Sequence, residues 1–318
     1  MTAPPEPRKL LVADSFRVRD HADVAQVRGF AHHLARFSGT VREAFLDSLS
    51  DTAARRHAQR QAAAEQKMRD SLASADRDSA LIAAQIELPD GEATRLDAFI
   101  EQARHRIAAF GAGFPRLELW RTASGPEYAL SLRPMPQLSE SLAMRSVSGL
   151  KLTHPDRKGP NIGTLTALNR ELEAEALLLD TQGRALEGAT TSLIYWADDS
   201  PESGHIISSP NRVRSITESL ISNAASRRLV GVAPHRRRTG GFTLGAPTPK
   251  TLQQSEVWAV NALHGIRPVT EIDGVPLSAP VPGRLQWFRE ALDRCWETVA
   301  SLPAAGPSGE AMFSEQRG

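Results

Sequence analysis

The stretch 175–196, "EALLLDTQGRALEGATTSLIYW", decides how the rest of the chain is read. Glu175–Leu179 is a short apolar run. Gln182–Gly183 is a tight-turn dipeptide, and residues 185–196 return to an apolar, β-branched pattern. Apolar runs of this length bounded by a Gly turn read as a strand, a turn and a second strand, in the manner of a hairpin. Glu187 stands where the return strand gives way to "GATTS". These are small residues that let another group approach the backbone closely. On spacing alone Glu187 reads as a glutamate at a strand exit facing water. The sharper reading is a carboxylate held beside a cationic group.

Upstream, "DRKGPNIGTL" (156–165) places Lys158 at a Gly-Pro break just before a helical run. A loop lysine is ordinarily solvated, but a lysine that spends time uncharged is a nucleophile toward carbonyls. Downstream, "RSITESL" (214–220) pairs Ser215 with Glu218 as a capping box at a helix start, which leaves N–H groups and a positive dipole end suited to a phosphate. Arg36, in "HHLARF", is a second candidate for a phosphate, because a guanidinium can donate two parallel hydrogen bonds. A pyridine cofactor would need a carboxylate at its ring nitrogen, and Glu187 is in a suitable place.

Composition narrows the class. The chain has 318 residues, 41% hydrophobic and 24% charged, with a net charge of +1. These values fit a packed protein of one large or two ordinary domains with no general attraction to nucleic acid. The lone Cys295 excludes an internal disulfide and a Cys-rich zinc site, and fits a reducing compartment. His32, His33 and His264 have no metal-ligand spacing, so no metal is expected. "MTAPPEPRKLLVADSF" lacks the apolar run of a secretory leader, and no run of about 18 apolar residues exists; the expectation is a cytoplasmic protein without a membrane span. "HRRR" (235–238) reads as a solvated loop.

Along the chain, "KLLVADSFRVRD" reads as strand and "FAHHLARFSG" as helix. Residues 40–88 hold no Gly or Pro and include a polar, Ala-rich tract that predicts a long, partly exposed helix or a kinked pair. "RLDAFIEQARHRIAAF" is an amphipathic helix, and "FPRLELWRTASGPEYALSLRPMP" is two strands around a turn. A domain boundary is expected near residue 136. "SEVWAVNALHGIRPVTEIDGVPL" reads as strands around a tight bend, "GRLQWFREALDRCWETVASL" as a closing helix, and 304–318 as a loose tail. Without a strict βαβ rhythm, the fold class expected is mixed-sheet α/β or α+β.

Taken in order, these segments resemble the class IV aminotransferases, the fold-type IV enzymes that use pyridoxal 5'-phosphate. That family includes branched-chain and D-amino acid aminotransferases and 4-amino-4-deoxychorismate lyases. The resemblance runs from about residue 13 to about 290. It implies that Glu187 contacts the pyridine nitrogen, and that Lys158 in "KGPNIGTLTALNREL" is the Schiff-base lysine. Lys151 in "SGLKLTHP" is the poorer match. It further implies that Ile216 and Thr217 supply N–H groups to the cofactor phosphate, with Arg36 of the "H-x-x-R" helix beside them. "VNALHGIRPVTEIDG" (260–274) resembles the later phosphate-side segment ending in "PV-x-x-IDG". It brings Asn261 and Ala262 to the cofactor. Asn261 matches the lyase branch, and Ala262 stands where many aminotransferases have a hydroxyl.

The 29 residues from Lys158 to Glu187 are a few short of the family spacing, as a trimmed loop would leave them. Only about a dozen residues precede "ADSF", where the family has an extra strand and hairpin. The resemblance implies two domains, 9–135 and 136–303, with the cofactor between them in a homodimer. The substrates implied are an amino acid and a keto acid, with no nucleic acid or membrane partner. Transamination is the activity expected first. Release of pyruvate from aminodeoxychorismate is the second, and a non-catalytic scaffold of the same fold the third.

Overall fold

The computed structural model describes residues 8–49, 88–89, 91–197, 203–209, 212–230, 238–239 and 241–300. The polar tract after residue 50, most of "HRRR" and the tail at 304–318 lie outside these. β1 (Lys9–Ser15), β2 (Val18–His21) and β3 (Val24–Arg28) lead into helix α1 (Phe30–Leu49). Helix α2 (Glu92–Phe110) is followed by the hairpin β4 (Arg116–Thr122) and β5 (Gly125–Ser131). β1 pairs antiparallel with β4, and β4 with β5. α1 and α2 cover this sheet with a core that includes Phe16, Phe37, Leu96, Ile107, Leu117 and Leu119.

The second half builds a mixed sheet. Its strands are β6 (Leu142–Val147), β7 (Glu175–Leu179), β8 (Ala185–Gly188), β9 (Ser192–Ala197) and β10 (Gly204–Ile207). After the short β11 (Leu229–Val230) and β12 (Arg238–Thr239) come β13 (Thr243–Gly245), β14 (Ser255–Asn261), β15 (Gly265–Ile272) and β16 (Val275–Pro276). The order is β13-β10-β9-β14-β15-β6-β7-β8, with β16 beside β15. Because β6 runs parallel to both β7 and β15, the connections between them need crossovers. One is α3 (Ile162–Leu172), whose approach carries Lys158. The sheet curls, so that edge strand β8 comes back beside β9 and β10. Helices α4 (Ile216–Arg227), α5 (Pro249–Gln253) and α6 (Pro282–Asp293) pack against it. α4 and α6 close over a core of Trp196, Trp258 and Phe288.

Two elements differ from the sequence reading. The hairpin at 175–188 is present as β7 and β8, but the chain breaks after Gly188 and β9 joins the far side of the sheet against β14. The closing helix ends at Asp293, and β17 (Trp296–Thr298) then pairs with β3. Val299, fully buried in the core of the N-terminal sheets, rewards that extended ending. Among the described residues no helix is long and apolar enough to cross a membrane.

Candidate active site

Lys158 is fixed by its backbone. Its carbonyl accepts the Ala13 N–H at 2.8 Å, which lays the 156–160 turn across β1. The next residue, Gly159, has φ +142°, and a Cβ there would stand 2.8 Å from Ala13 N and Val12 Cα. The Gly of "KGP" is thus what lets the lysine's backbone lie against the strand. Arg157 anchors the other side through an ion pair with Asp47 of α1. Lys158 is half-buried. Burial, with Arg36 and Arg133 nearby, pulls its ammonium down to about 8 against the pull of Asp14 and Glu187. Lys151 is exposed.

Arg36 reaches the site from α1. It grips buried Asp14 with two hydrogen bonds, Nε–Oδ2 at 2.7 Å and Nη2–Oδ1 at 2.8 Å. Its Nη1 donates to the Arg214 carbonyl at 2.7 Å. Burial alone would raise the Asp14 carboxyl, but Arg36 and His33 hold it well below the carboxylate range. His33 lies 2.7 Å from Asp14 through Nδ1. Burial lowers its pKa against the pull of Asp14, and an ionised Asp14 can only accept. The proton therefore sits on Nδ1. Sequence reading missed Asp14, because its partners lie 19 and 22 residues away on another element.

The Arg214 carbonyl leads into α4. Ser215 caps this helix, its Oγ accepting the Glu218 N–H at 3.2 Å. The first N–H groups of any helix lack intrahelical acceptors, and here Ile216 and Thr217 carry them, two and three residues past the carbonyl that Arg36 grips. The expected capping box is used in a different way. The Glu218 carboxylate turns to Arg212, at 2.6 Å, in a buried ion pair.

Glu187 lies near the end of β8. Burial pushes its carboxyl up to about 8, while Arg212, the Val213 N–H and Lys158 pull against that and Glu218 adds to it. Behind it, residues 188–191 wrap around buried Glu175, which accepts the Thr190 N–H at 2.6 Å and the Thr190 and Thr191 hydroxyls. Gly188 has no room for a side chain, since a Cβ would meet Thr191 Oγ1 at 2.2 Å. Asn261 closes on the same loop from the β14–β15 bend. Its Nδ2 donates to the Thr190 carbonyl at 3.3 Å, and its Oδ1 accepts the Leu263 and His264 N–H groups. The Ala262 carbonyl accepts the Arg17 N–H at 3.3 Å, tying this bend to the N-terminal sheets. Arg133 donates to Phe114 O and Ser15 Oγ beside the lysine.

Lys158, Arg36 and Glu187 therefore share one site. Ile216 and Thr217 adjoin it through Arg214, and Asn261 through Thr190. Arg133 and Arg212 were not singled out by the sequence and belong to it as well. The set offers an amine held partly uncharged near neutral pH, a secluded carboxyl, and an arginine beside a helix start. These are the donors that a pyridine ring bearing an aldehyde and a phosphate requires, so the residues fit pyridoxal 5'-phosphate. Among the described residues no group of three or more His, Cys, Asp or Glu could hold a metal ion.

Neither a protein-family model nor a curated protein sequence matches the chain. Solved structures do match its fold. A T.th. branched-chain amino acid aminotransferase, complexed with N-(5'-phosphopyridoxyl)-L-glutamate, is 15% identical with a TM-score of 0.60, over 91% of this chain and 89% of that one. A hypothetical aminotransferase from Mycobacterium tuberculosis, in an α-ketoglutarate- and PMP-bound form, is 16% identical with a TM-score of 0.58 over 93% of each chain. A Legionella pneumophila structure assigned as a 4-amino-4-deoxychorismate lyase is 13% identical with a TM-score of 0.56, over 89% of this chain and 90% of that one. The resemblance read from the sequence thus holds at the level of the fold, which is that of the fold-type IV pyridoxal phosphate enzymes.

Proposed function

We propose that this chain is a pyridoxal phosphate-dependent class IV aminotransferase that moves an amino group between an amino acid and a keto acid. One observation carries the reading. Lys158 is the lysine clamped onto β1, facing Glu187 and Arg36, with its ammonium drawn down to about 8. A surface lysine has no use for such a setting, whereas an amine that must bond a carbonyl and then carry a proton does.

When bound, the cofactor supplies an electron-poor ring that draws charge from the substrate's α-carbon. Lys158 holds the cofactor and moves the proton at that carbon through Nζ. Glu187 keeps a proton on the ring nitrogen. Arg36 and the N–H groups of Ile216 and Thr217 bind the phosphate and fix the ring against the lysine. Asn261 and Ala262 border that phosphate from the β14–β15 bend. Arg133 offers a cation to a substrate carboxylate. By the same resemblance the enzyme works in the cytoplasm as a homodimer.

The test is an absorption spectrum of wild type and Lys158→Ala with pyridoxal phosphate, before and after borohydride. A wild-type band near roughly 410–430 nm, fixed covalently at Lys158 by borohydride and absent from the variant, is expected. No band in either protein would leave a scaffold of this fold. The second reading is 4-amino-4-deoxychorismate lyase, favoured by Asn261 at the bend and by the Legionella neighbour. Pyruvate release from aminodeoxychorismate without a keto-acid acceptor would select it.

A further inference from the structure

We propose that Arg212 is a positioning residue for Glu187. Paired with Glu218 and standing one residue before the N–H that the Glu187 carboxyl accepts, it favours the ionised form of that carboxyl, and Glu218 sets how much of its positive charge Glu187 receives. The role assigned to Glu187 at the ring nitrogen rests on the reading above; the arrangement of the three side chains does not.

Three observations carry it. Arg212 is nearly enclosed and is spent on neighbours, donating to Glu218 at 2.6 Å and to Ser192 Oγ at 3.4 Å. The residue that follows it, Val213, donates its N–H to the Glu187 carboxyl, so the arginine's own backbone brings it to that group. Glu218 is also buried, and its Oε2 has no hydrogen-bond partner among the described residues, so its neutralisation depends on Arg212. Glu218 thus pairs with the guanidinium directly, and Glu187 meets the same segment through the Val213 N–H and the arginine's field. The charged groups facing Glu187 are Arg212 from the segment before α4, Glu218 from α4 itself and Lys158 from the loop before α3.

The chemistry gives this arrangement a purpose. A proton shared between a ring nitrogen and a carboxylate can rest on either one. A fixed cation beside the carboxylate keeps it on the nitrogen. Glu218 moderates that bias, and it also offsets Arg212 at the helix start where the phosphate would lie.

The decisive experiment is a carboxyl ¹³C NMR titration of the full chain without cofactor, with Glu187 assigned by Glu187→Gln. Arg212→Met should raise the Glu187 pKa by roughly one unit or more. Glu218→Gln should lower it, because a like charge is removed and the guanidinium is no longer shared. Opposite shifts from the two variants are not what a merely structural loss would give. An unchanged Glu187 in Arg212→Met, or shifts in the same direction, would overturn the proposal. Should Arg212→Met fail to fold, the double variant with Glu218→Gln removes the pair together; it should still titrate above wild type, and equality with wild type would sink the idea.

The loaded protein gives the second readout. With ring-¹⁵N pyridoxal phosphate, Arg212→Met should move the nitrogen signal from the protonated toward the neutral position, and Arg212→Lys should restore it. If wild type binds no cofactor, the proposed function fails, while the titration still decides the part played by Arg212.

Discussion

Lys158 is placed by the residue after it. Gly159 sits at φ +142°, where only glycine rests easily, and the β1 backbone fills the space a methyl group would need. Gly159→Ala should therefore cost about 1–3 kcal/mol from strain alone, and more if β1 must move. Urea unfolding of the cofactor-free chain would show a lower midpoint, and the Lys158-dependent absorption band should weaken or vanish. A variant with wild-type midpoint and band would mean that the turn does not need its glycine. The sequence made the pair "KG" conspicuous, but it could not rank Lys158 above Lys151 without a family motif. The structure ranks them directly, since Lys151 is exposed and Lys158 faces Asp14, Arg36, Arg133 and Glu187. Those partners come from β1, α1, the segment after β5 and β8. No local pattern announces such a meeting.

At the scale of elements, helix α4 and the loop behind Glu187 show what can be read from nearby residues and what cannot. The start of α4 was legible, because Ser215 and Glu218 lie three residues apart and a cap is a local device. Ser215→Ala should cost about 1 kcal/mol and weaken phosphate affinity, measurable by titrating the chain with pyridoxal phosphate. Unchanged affinity with lowered stability would separate the cap from the anion site. The break after Gly188 was not legible. "TTSLIYW" continues a strand pattern, and what interrupts it is Glu175, whose carboxylate gathers Thr190 and Thr191 from 15 and 16 residues away. Asn169 Nδ2 holds the other carboxylate oxygen at 2.8 Å. Glu175→Gln turns one acceptor into a donor among donors. A cost of about 1–3 kcal/mol follows for the buried groups left unpaired. Hydrogen exchange at the Thr190 amide should speed up at the same time. Exchange as slow as in wild type would show that the loop is held by something else.

Over the whole molecule, the curled sheet and the N-terminal sheets meet where three strongly shifted ionisable groups coincide. Asp14 is buried but well matched, so it stabilises the fold above the usual carboxylate range and loses that contribution only in acid. Lys158 and Glu187 are poorly matched, and each is drawn toward its neutral form. For Glu187 the sign runs against alkali. Its folded pKa is about 8 against 4.5 for the unfolded chain, so the folded state binds more protons across that window. Stability from this group therefore falls as pH rises from about 4.5 to about 8. A site that loses stability on ionising its own carboxylate is one that a cationic ring nitrogen would relieve. The cofactor-free chain should reveal this through Glu187→Gln, which cannot ionise. Near pH 5 the variant and wild type should melt within a degree or so of each other. At pH 9 the variant should melt higher, by roughly 2 °C or more for a domain of this size. The quantity to measure is the change in that difference with pH, because titrations common to both proteins cancel. A difference that stays flat from pH 5 to 9 would mean that Glu187 is already ionised in the fold. The case for a carboxyl waiting on a positively charged partner would then be lost.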